Sequence, residues 1–483
     1  MKTILLIIFL MVAQISFSQW QTEQRLTTNN GTSWTSYNNA RCISASNGFV
    51  HTVWYASTTG NFNIYYERLT EAGLISIPIR ISNSDSVTRF PSIASVGMYV
   101  HIIWMDSKNG SNNNEIYYRR STDSGNTFLP ETRLTNNAGE SDYGSIAVEG
   151  NNVYVVWMDT RDNNQEIYFK RSTDNGGSWG SDVRLTNNSS NSLYPTIAVF
   201  NSNIHVAWSE NRDLNFEIYY KRSTDGGANW GNDTRLTYDV VNSSIPSIAV
   251  NESKLHVVWT DERDLVAQIY YKKSTDNGFS WSQDIRLVNT IYEASEPNIC
   301  VSGENIHVVW EDTRDHNGNP TFDIFYKHST NGGVNWSNDE KITNTNGSSR
   351  FPFITYSNFS IHSIWHNDKT NHWEIYYKRN PTGNTVTNVN LNLIKLYNYS
   401  LYQNYPNPFN PATKINYEIK QDGFVGLKVY NVIGQLVKEL VGEFKNAGNY
   451  EVKFNGSNLS SGMYFYRIES GEFVETKKMI LIK

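Results

Sequence analysis

A tryptophan that returns about every 51 residues constrains this chain more than any other feature. Trp54, Trp104, Trp157, Trp208, Trp259, Trp310 and Trp365 each close a short apolar run, at intervals of 50, 53, 51, 51, 51 and 55 residues. Around them one phrase recurs: "RLT", then "PSIAV", "IHVVW", a charged "D-x-R-D", "EIYYKR" and "STDGG". Seven copies in register mean one structural unit repeated, so residues 19–380 form an array and the flanking segments are separate material.

In the cleanest copy, Val183 to Thr186, Pro195 to Val199, Asn203 to Trp208 and Phe216 to Arg222 read as four short strands. Clusters of Asn, Ser, Gly and Asp separate them, and no 3.6-residue apolar period persists for helical length. The β-branched and aromatic bias excludes a helical solenoid. Four strands per repeat is the content of a propeller blade, which packs a neighbour on each face; both faces of the tryptophan strand are accordingly apolar. An extra "RLT" at Arg25 precedes the first tryptophan, and the last repeat runs out near Asn380 without its own. Placed as the outermost strand of the last blade, the N-terminal copy closes the ring and removes an exposed edge. The expectation is an all-β chain: a seven-bladed β-propeller closed by an N-terminal strand, followed by a small Ig-like β-sandwich.

The ends differ from the array. Residues 1–18 carry Lys2, the apolar run Ile4 to Ala13 and the small residues Ser16 and Ser18, the pattern of a secretory signal peptide cleaved before Gln19. No later segment approaches the apolar length of a membrane span. Residues 381–400 are a Thr/Asn-rich linker, and 401–483 alternate polar and apolar residues between Gly/Asn turns, as about seven short strands would. A net charge of -6 argues against a nucleic-acid binder. Cys42 and Cys300 stand in equivalent strand segments of different repeats, and read as two small buried thiols rather than one bridge.

Five repeats carry S-T-D-x-G-x-x-W/F, with Asp123, Asp174, Asp225 and Asp276 at the acidic position and Asn331 in the fifth. Physically this is a tight hairpin: the Asp or Asn bonds its own backbone and the glycine takes positive φ. The pattern resembles the Asp-box (BNR) repeat of sialidases and related secreted propellers, over residues 23–380. The resemblance implies a structural turn on the side of the ring away from the ligand face. Sialidases of that family are six-bladed and carry an arginine in an F/Y-R-I-P motif. Here the nearest approaches, Arg89-Phe90-Pro91 and Arg350-Phe351-Pro352, have the order reversed, so no catalytic residue transfers. The tail resembles the C-terminal sorting domain of type IX secretion (type A), through Tyr405-Pro406-Asn407-Pro408-Phe409-Asn410-Pro411, Gly434-Gln435, Leu459-Ser460-Ser461-Gly462-Met463-Tyr464 and Lys477-Lys478-Met479. That implies the type IX machinery as a partner for 401–483, and a secreted or surface location in a Bacteroidetes-like bacterium.

Two constellations repeat. Histidine stands three residues before the tryptophan at His51, His101, His205, His256, His307 and His362, with Tyr154 in the remaining copy. Spread around a ring these cannot share a metal, and each reads as a buried imidazole bonding a backbone group across blades. After the tryptophan come acidic–basic hairpins bearing Arg161, Arg212, Arg263 and Arg314, on the expected ligand face. Repetition favours Asx caps and Asp–Arg pairs, with ligand contact as the alternative. These oxygen-rich loops can hold Ca²⁺, yet none matches the EF-hand pattern, and no cofactor is implied. Non-repeated loops offer Trp34, Tyr37, Tyr292, Glu293, Glu296 and Trp373 as candidate contacts to a sugar ring or peptide. The resulting expectation is an exported propeller that binds glycan or protein without catalysis. A sialidase-like glycoside hydrolase and a purely structural surface protein are the alternatives.

Overall fold

The computed structural model describes residues 20–483, apart from 29–30, 38–39, 58–59, 111–112, 317–320, 345–346, 385–398, 421–422, 446–447 and 472. The expected signal peptide and most of the expected linker lie outside the described residues.

Residues 24–380 fold as successive antiparallel sheets, one per tryptophan. In the sheet of Trp208 the order from the inside outward is Ser192–Phe200, Asn203–Glu210, Glu217–Ser223 and Thr234–Arg235. The "RLT" segment thus ends one sheet instead of starting the next, and contributes only two residues of strand. So short an outer strand offers little template for pairing with another chain. In the last sheet that place is taken by Gln24–Arg25, with Gln24 opposite Tyr377 and Arg25 opposite Tyr376. Arg25 and Thr27 both bond the buried carboxylate of Glu374, which fastens this strand by charge as well as by backbone.

The innermost strands pack side by side in chain order, and Ser349–Ser357 packs back against Ile43–Ser46. One register-equivalent residue from each sheet lines a single axial cavity: Ser44, Ala94, Ala147, Ala198, Ala249, Cys300 and Thr355. All are small, because strands converging on one axis leave no room for larger side chains. Every anchor tryptophan is buried between sheets, at no more than 1% exposure. In the first sheet the inner strand is broken into Thr32–Trp34 and Ile43–Ser46, which shifts its register. Ser44, not Cys42, therefore faces the histidine position, two residues away from where Cys300 sits in its own sheet. Both thiols are free.

The repeated histidines have a different partner from the expected one. Each Nδ1 meets a tyrosine hydroxyl on the next strand of the same sheet, as in His205 to Tyr220 at 2.7 Å, and not a backbone group across sheets. Burial drives these imidazoles down to about 3, so they are neutral.

The C-terminal segment contains two further sheets. Ser400–Leu401, Ala412–Ile419 and Gly448–Asn455 form one; Leu436–Lys445, Gly423–Tyr430, Gly462–Ser470 and Phe473–Leu481 form the other. Ile415, Tyr417 and Ile419 from the first join Val425, Leu427, Tyr466 and Ile468 from the second in one core. Among the described residues the only helical element is the 3₁₀ turn Arg314–His316, and no helix is long and apolar enough to cross a membrane.

Candidate functional site

Strand register assigns the loops to opposite ends of the ring. Ser141 pairs with Asp159, so the start of an innermost strand and the hairpin after the tryptophan share one end. Val153 pairs with Ser172, so the Asp-box turn lies at the other.

At the Asp-box end the turn satisfies itself. Asp225 Oδ1 accepts the Asn229 N–H at 2.8 Å and the Ser223 hydroxyl at 2.8 Å, while Ser223 Oγ accepts the Gly227 N–H at 2.9 Å. These donors pull the Asp225 carboxyl down to about 2, and the same pattern holds at Asp123, Asp174 and Asp276. Asn331 keeps the Asn335 N–H at 2.8 Å with its amide oxygen, so the geometry does not need the charge. The box tryptophan reaches across the seam: Trp230 lies edge-on to Phe169 of the preceding sheet, with ring centroids 5.0 Å apart, instead of folding under its own. The box glycine has a second constraint beyond its positive φ. A Cβ at Gly278 would overlap the Tyr220 hydroxyl, the same group that holds His205.

At the opposite end, the hairpin charges are committed to one another. Asp159 Oδ2 accepts the Trp157 indole N–H at 2.8 Å and the Arg161 guanidinium at 2.6 Å. Arg161 also reaches Asp182 at 2.8 Å and lies 4.2 Å over the Tyr168 ring. Arg212, Arg263 and Arg314 likewise lie between carboxylates and over an aromatic ring, Arg263 with Asp239 as a third partner and Arg212 bonding through Nη2 alone. A guanidinium so engaged has little left for a ligand.

A second feature of this end was not read from the sequence. Each innermost strand from the second sheet onward carries a bulge just before a proline or glycine, where a non-glycine residue adopts positive φ: Phe90, Tyr143, Tyr194, Ile245, Glu296 and Phe351, all between 49° and 55°. Holding such residues left-handed costs of order 1–3 kcal/mol each. The fold holds them there: the Ile245 N–H bonds Ser209 Oγ, that of Glu296 bonds Thr260 Oγ1, and that of Phe351 bonds Glu311 Oε2, each acceptor following the previous sheet's tryptophan. The bulges build a partly aromatic mouth. Phe90 stacks on Tyr143 at 4.6 Å and Tyr143 meets Tyr194 at 5.1 Å. Tyr37 enters from the first sheet, 4.3 Å from Phe351 and 6.2 Å from Phe90.

Glu296 alone places a carboxyl at this repeated position. It is buried, and its Oε2 has no hydrogen-bond partner among the described residues. Nearby Glu311 is raised by burial as well, but it holds Arg350 at 2.6 Å and the Phe351 N–H at 2.9 Å, and these donors favour its ionised form over that of Glu296. Burial, then the charge of Glu311, pushes Glu296 well above the usual carboxyl range despite Arg350. Burial thus favours the protonated form of Glu296, and burial first of all also raises Tyr194, two sheets away. Asp142, beside Tyr143, is raised by burial to about 7, against the Asn114 amide at 3.0 Å.

The other sequence candidates fall around this mouth or short of it. Tyr37 is exposed at 37% and Glu293 is also exposed, the latter contributing to the field at Glu296. Tyr292 is half-buried, and its carbonyl accepts the Gln268 amide at 2.8 Å. Trp34 is not an exposed platform: it is half-buried against Tyr55 and Phe62. Trp373 is likewise half-buried, edge-on to His366 at 4.9 Å. Among the described residues no cluster of three or more His, Cys, Asp or Glu is placed to hold a metal ion.

Residues 96–308 match the BNR repeat-like domain, and residues 403–483 match the secretion system C-terminal sorting domain. No curated protein matches the chain. Among solved structures, the polysaccharide lyase Uly1 is similar at 11% identity and a TM-score of 0.53, over 75% of this chain and 99% of that one. A mutant Trypanosoma rangeli sialidase displaying trans-sialidase activity aligns over 86% of each chain at 12% identity and a TM-score of 0.46. The phage phi92 endosialidase aligns over 80% of this chain and 72% of that one, at 10% identity and 0.46. The protein thus joins a segment that matches the BNR repeat-like domain, residues 96–308, to a type IX sorting domain, and is secreted or displayed on the cell surface of a Bacteroidetes-like bacterium.

Proposed function

We propose that residues 19–380 are a seven-bladed propeller whose mouth binds an uncharged glycan without cleaving it, and that residues 401–483 are a separable Ig-like sandwich serving export. One observation carries the binding site: at a repeated, strained position where the other sheets present aromatic or aliphatic side chains, Glu296 presents a neutral carboxyl. A repeated residue is explained by folding; a single departure from the repeat is where selection for a ligand shows. Tyr37, Phe90, Tyr143 and Tyr194 supply ring faces for stacking, and Glu296 supplies an O–H donor to a sugar hydroxyl. The acidic surroundings, with Arg350 committed to Glu311, disfavour an anionic sugar.

A hydrolase reading also has an observation behind it. A neutral Glu296 beside an ionised Glu311 is the separation of protonation states used in glycoside cleavage. Against it, Glu311 is occupied by Arg350 and a backbone N–H. A glycan panel separates the two readings. The mature protein should retain one class of neutral oligosaccharide and release no reducing ends, and Glu296→Ala should abolish retention. Release of reducing ends that stops in Glu296→Gln would replace binding by hydrolysis. Retention unchanged in Glu296→Ala would remove the site altogether.

A further inference from the structure

The axial cavity below the mouth holds about 170 Å³ and is lined mainly by small and aliphatic side chains, with Arg41 as the one charged residue among them. Arg41 enters from the first sheet, where the inner strand is broken. Its side chain makes one hydrogen bond among the described residues, from Nη2 to the Ile248 carbonyl at 3.2 Å, across the ring. Among the described residues no carboxylate accepts from it. The polar groups whose fields reach it are the Cys300 thiol and the Tyr356 phenol, and burial pushes Cys300 up to about 12, which keeps the thiol neutral. A guanidinium has five N–H donors, and a buried cation without an anion is costly. The volume is several times the ~30 Å³ share of one water molecule. A wider cavity of about 670 Å³ shares Ser44, Thr355 and Tyr356 with the channel and includes Glu71, whose carboxylate accepts the Asn358 amide at 2.7 Å. It gives a path to the channel from the Asp-box end.

We infer that the axial channel binds one small anion, of about chloride size, against the Arg41 guanidinium. Beside Arg41 the wall carries only neutral polar groups, among them Ser44, Ser95, Thr355 and Cys300, and Ser44 and Ser95 satisfy each other at 2.8 Å. One guanidinium balances one negative charge, which favours a compact monoanion over sulfate or phosphate, whose second charge finds no counterion on the wall. The anion neutralises the Arg41 charge on the axis and ties the first sheet to the fifth, where Ile248 lies.

The test is the melting temperature of the mature full-length protein in sodium chloride against sodium gluconate at equal ionic strength. A bound anion raises Tm with the logarithm of its concentration. Wild-type protein should show this rise with chloride and bromide and a weaker one with sulfate, and Arg41→Met should lose it while melting no lower than wild type in gluconate. A wild-type Tm independent of chloride, or a dependence that persists in Arg41→Met, overturns the proposal. If Arg41→Met does not fold, bromide-soaked wild-type crystals decide: an anomalous peak beside Arg41 is expected, and an empty channel refutes it.

Discussion

The two ends of the ring use repetition in opposite ways. At the Asp-box end the side chains repeat because each one closes its own turn or the seam to the next sheet: Ser223, Asp225 and Gly227 satisfy one another, and Trp230 locks onto Phe169. At the mouth it is the backbone that repeats. Six bulges hold the same left-handed residue, yet the side chains change from Phe to Tyr to Ile to Glu. Conserving an expensive backbone conformation while varying its side chain is how a scaffold presents a site. The Asp-box end is thus built for stability and the mouth for contact.

This comparison predicts an order of effects. The largest should come from Gly278→Ala, which combines positive φ with overlap of the Tyr220 hydroxyl, and should cost about 2–4 kcal/mol by chemical denaturation. A loss below about 0.5 kcal/mol, the scale of an ordinary surface substitution, would mean the seam is loose. Next is acid sensitivity. The buried histidines bind protons more readily unfolded than folded, so stability should be full above the usual histidine range and fall as pH drops from there toward about 3. Tm against pH should fall steeply over that window, and a flat profile would show that the imidazoles are not held neutral.

The mouth should respond with the opposite sign. Glu296 is raised in the folded state, so its contribution is present below its unfolded value and lost as pH rises toward the folded one. Glu296→Gln removes that penalty, and at neutral pH the variant should be as stable as wild type or more so, by about 1 kcal/mol. A clear loss of stability would mean the carboxylate is ionised and paired. The smallest effect belongs to Asp225→Asn, because Asn331 already performs the same role. Its Tm should stay closer to wild type than that of Asp225→Ala, and equal losses would show that the charge itself matters.

Much of the sheet array was legible because it rests on one-dimensional signals. The interval between tryptophans marks each sheet, and an orphan "RLT" at Arg25 marks the strand that joins the last one. The histidine partner was not legible, since Tyr220 lies 15 residues on and meets His205 only once strand register is known. The mouth left a trace in "RFP", "DYG", "LYP", "SIP" and "SEP", which line up across repeats. Its meaning was hidden because a residue before proline ordinarily stays extended, and nothing local predicts a left-handed one. Glu296 was singled out as part of an irregular loop; that it replaces an aromatic in a ring needed the register. Arg41 left no trace, because the break in the first inner strand removes it from the repeat.

The central claim is that ligand contact belongs to the mouth and not to the Asp boxes. The direct measurement is calorimetric titration of the retained oligosaccharide into Glu296→Gln, Tyr194→Ala and Asp225→Ala, at a temperature where all three are folded. Binding should be weakened at least tenfold in the first two, about 1.4 kcal/mol, and unchanged in Asp225→Ala. Binding lost in Asp225→Ala and kept in the two mouth variants would contradict the assignment and move the functional surface to the opposite end of the ring.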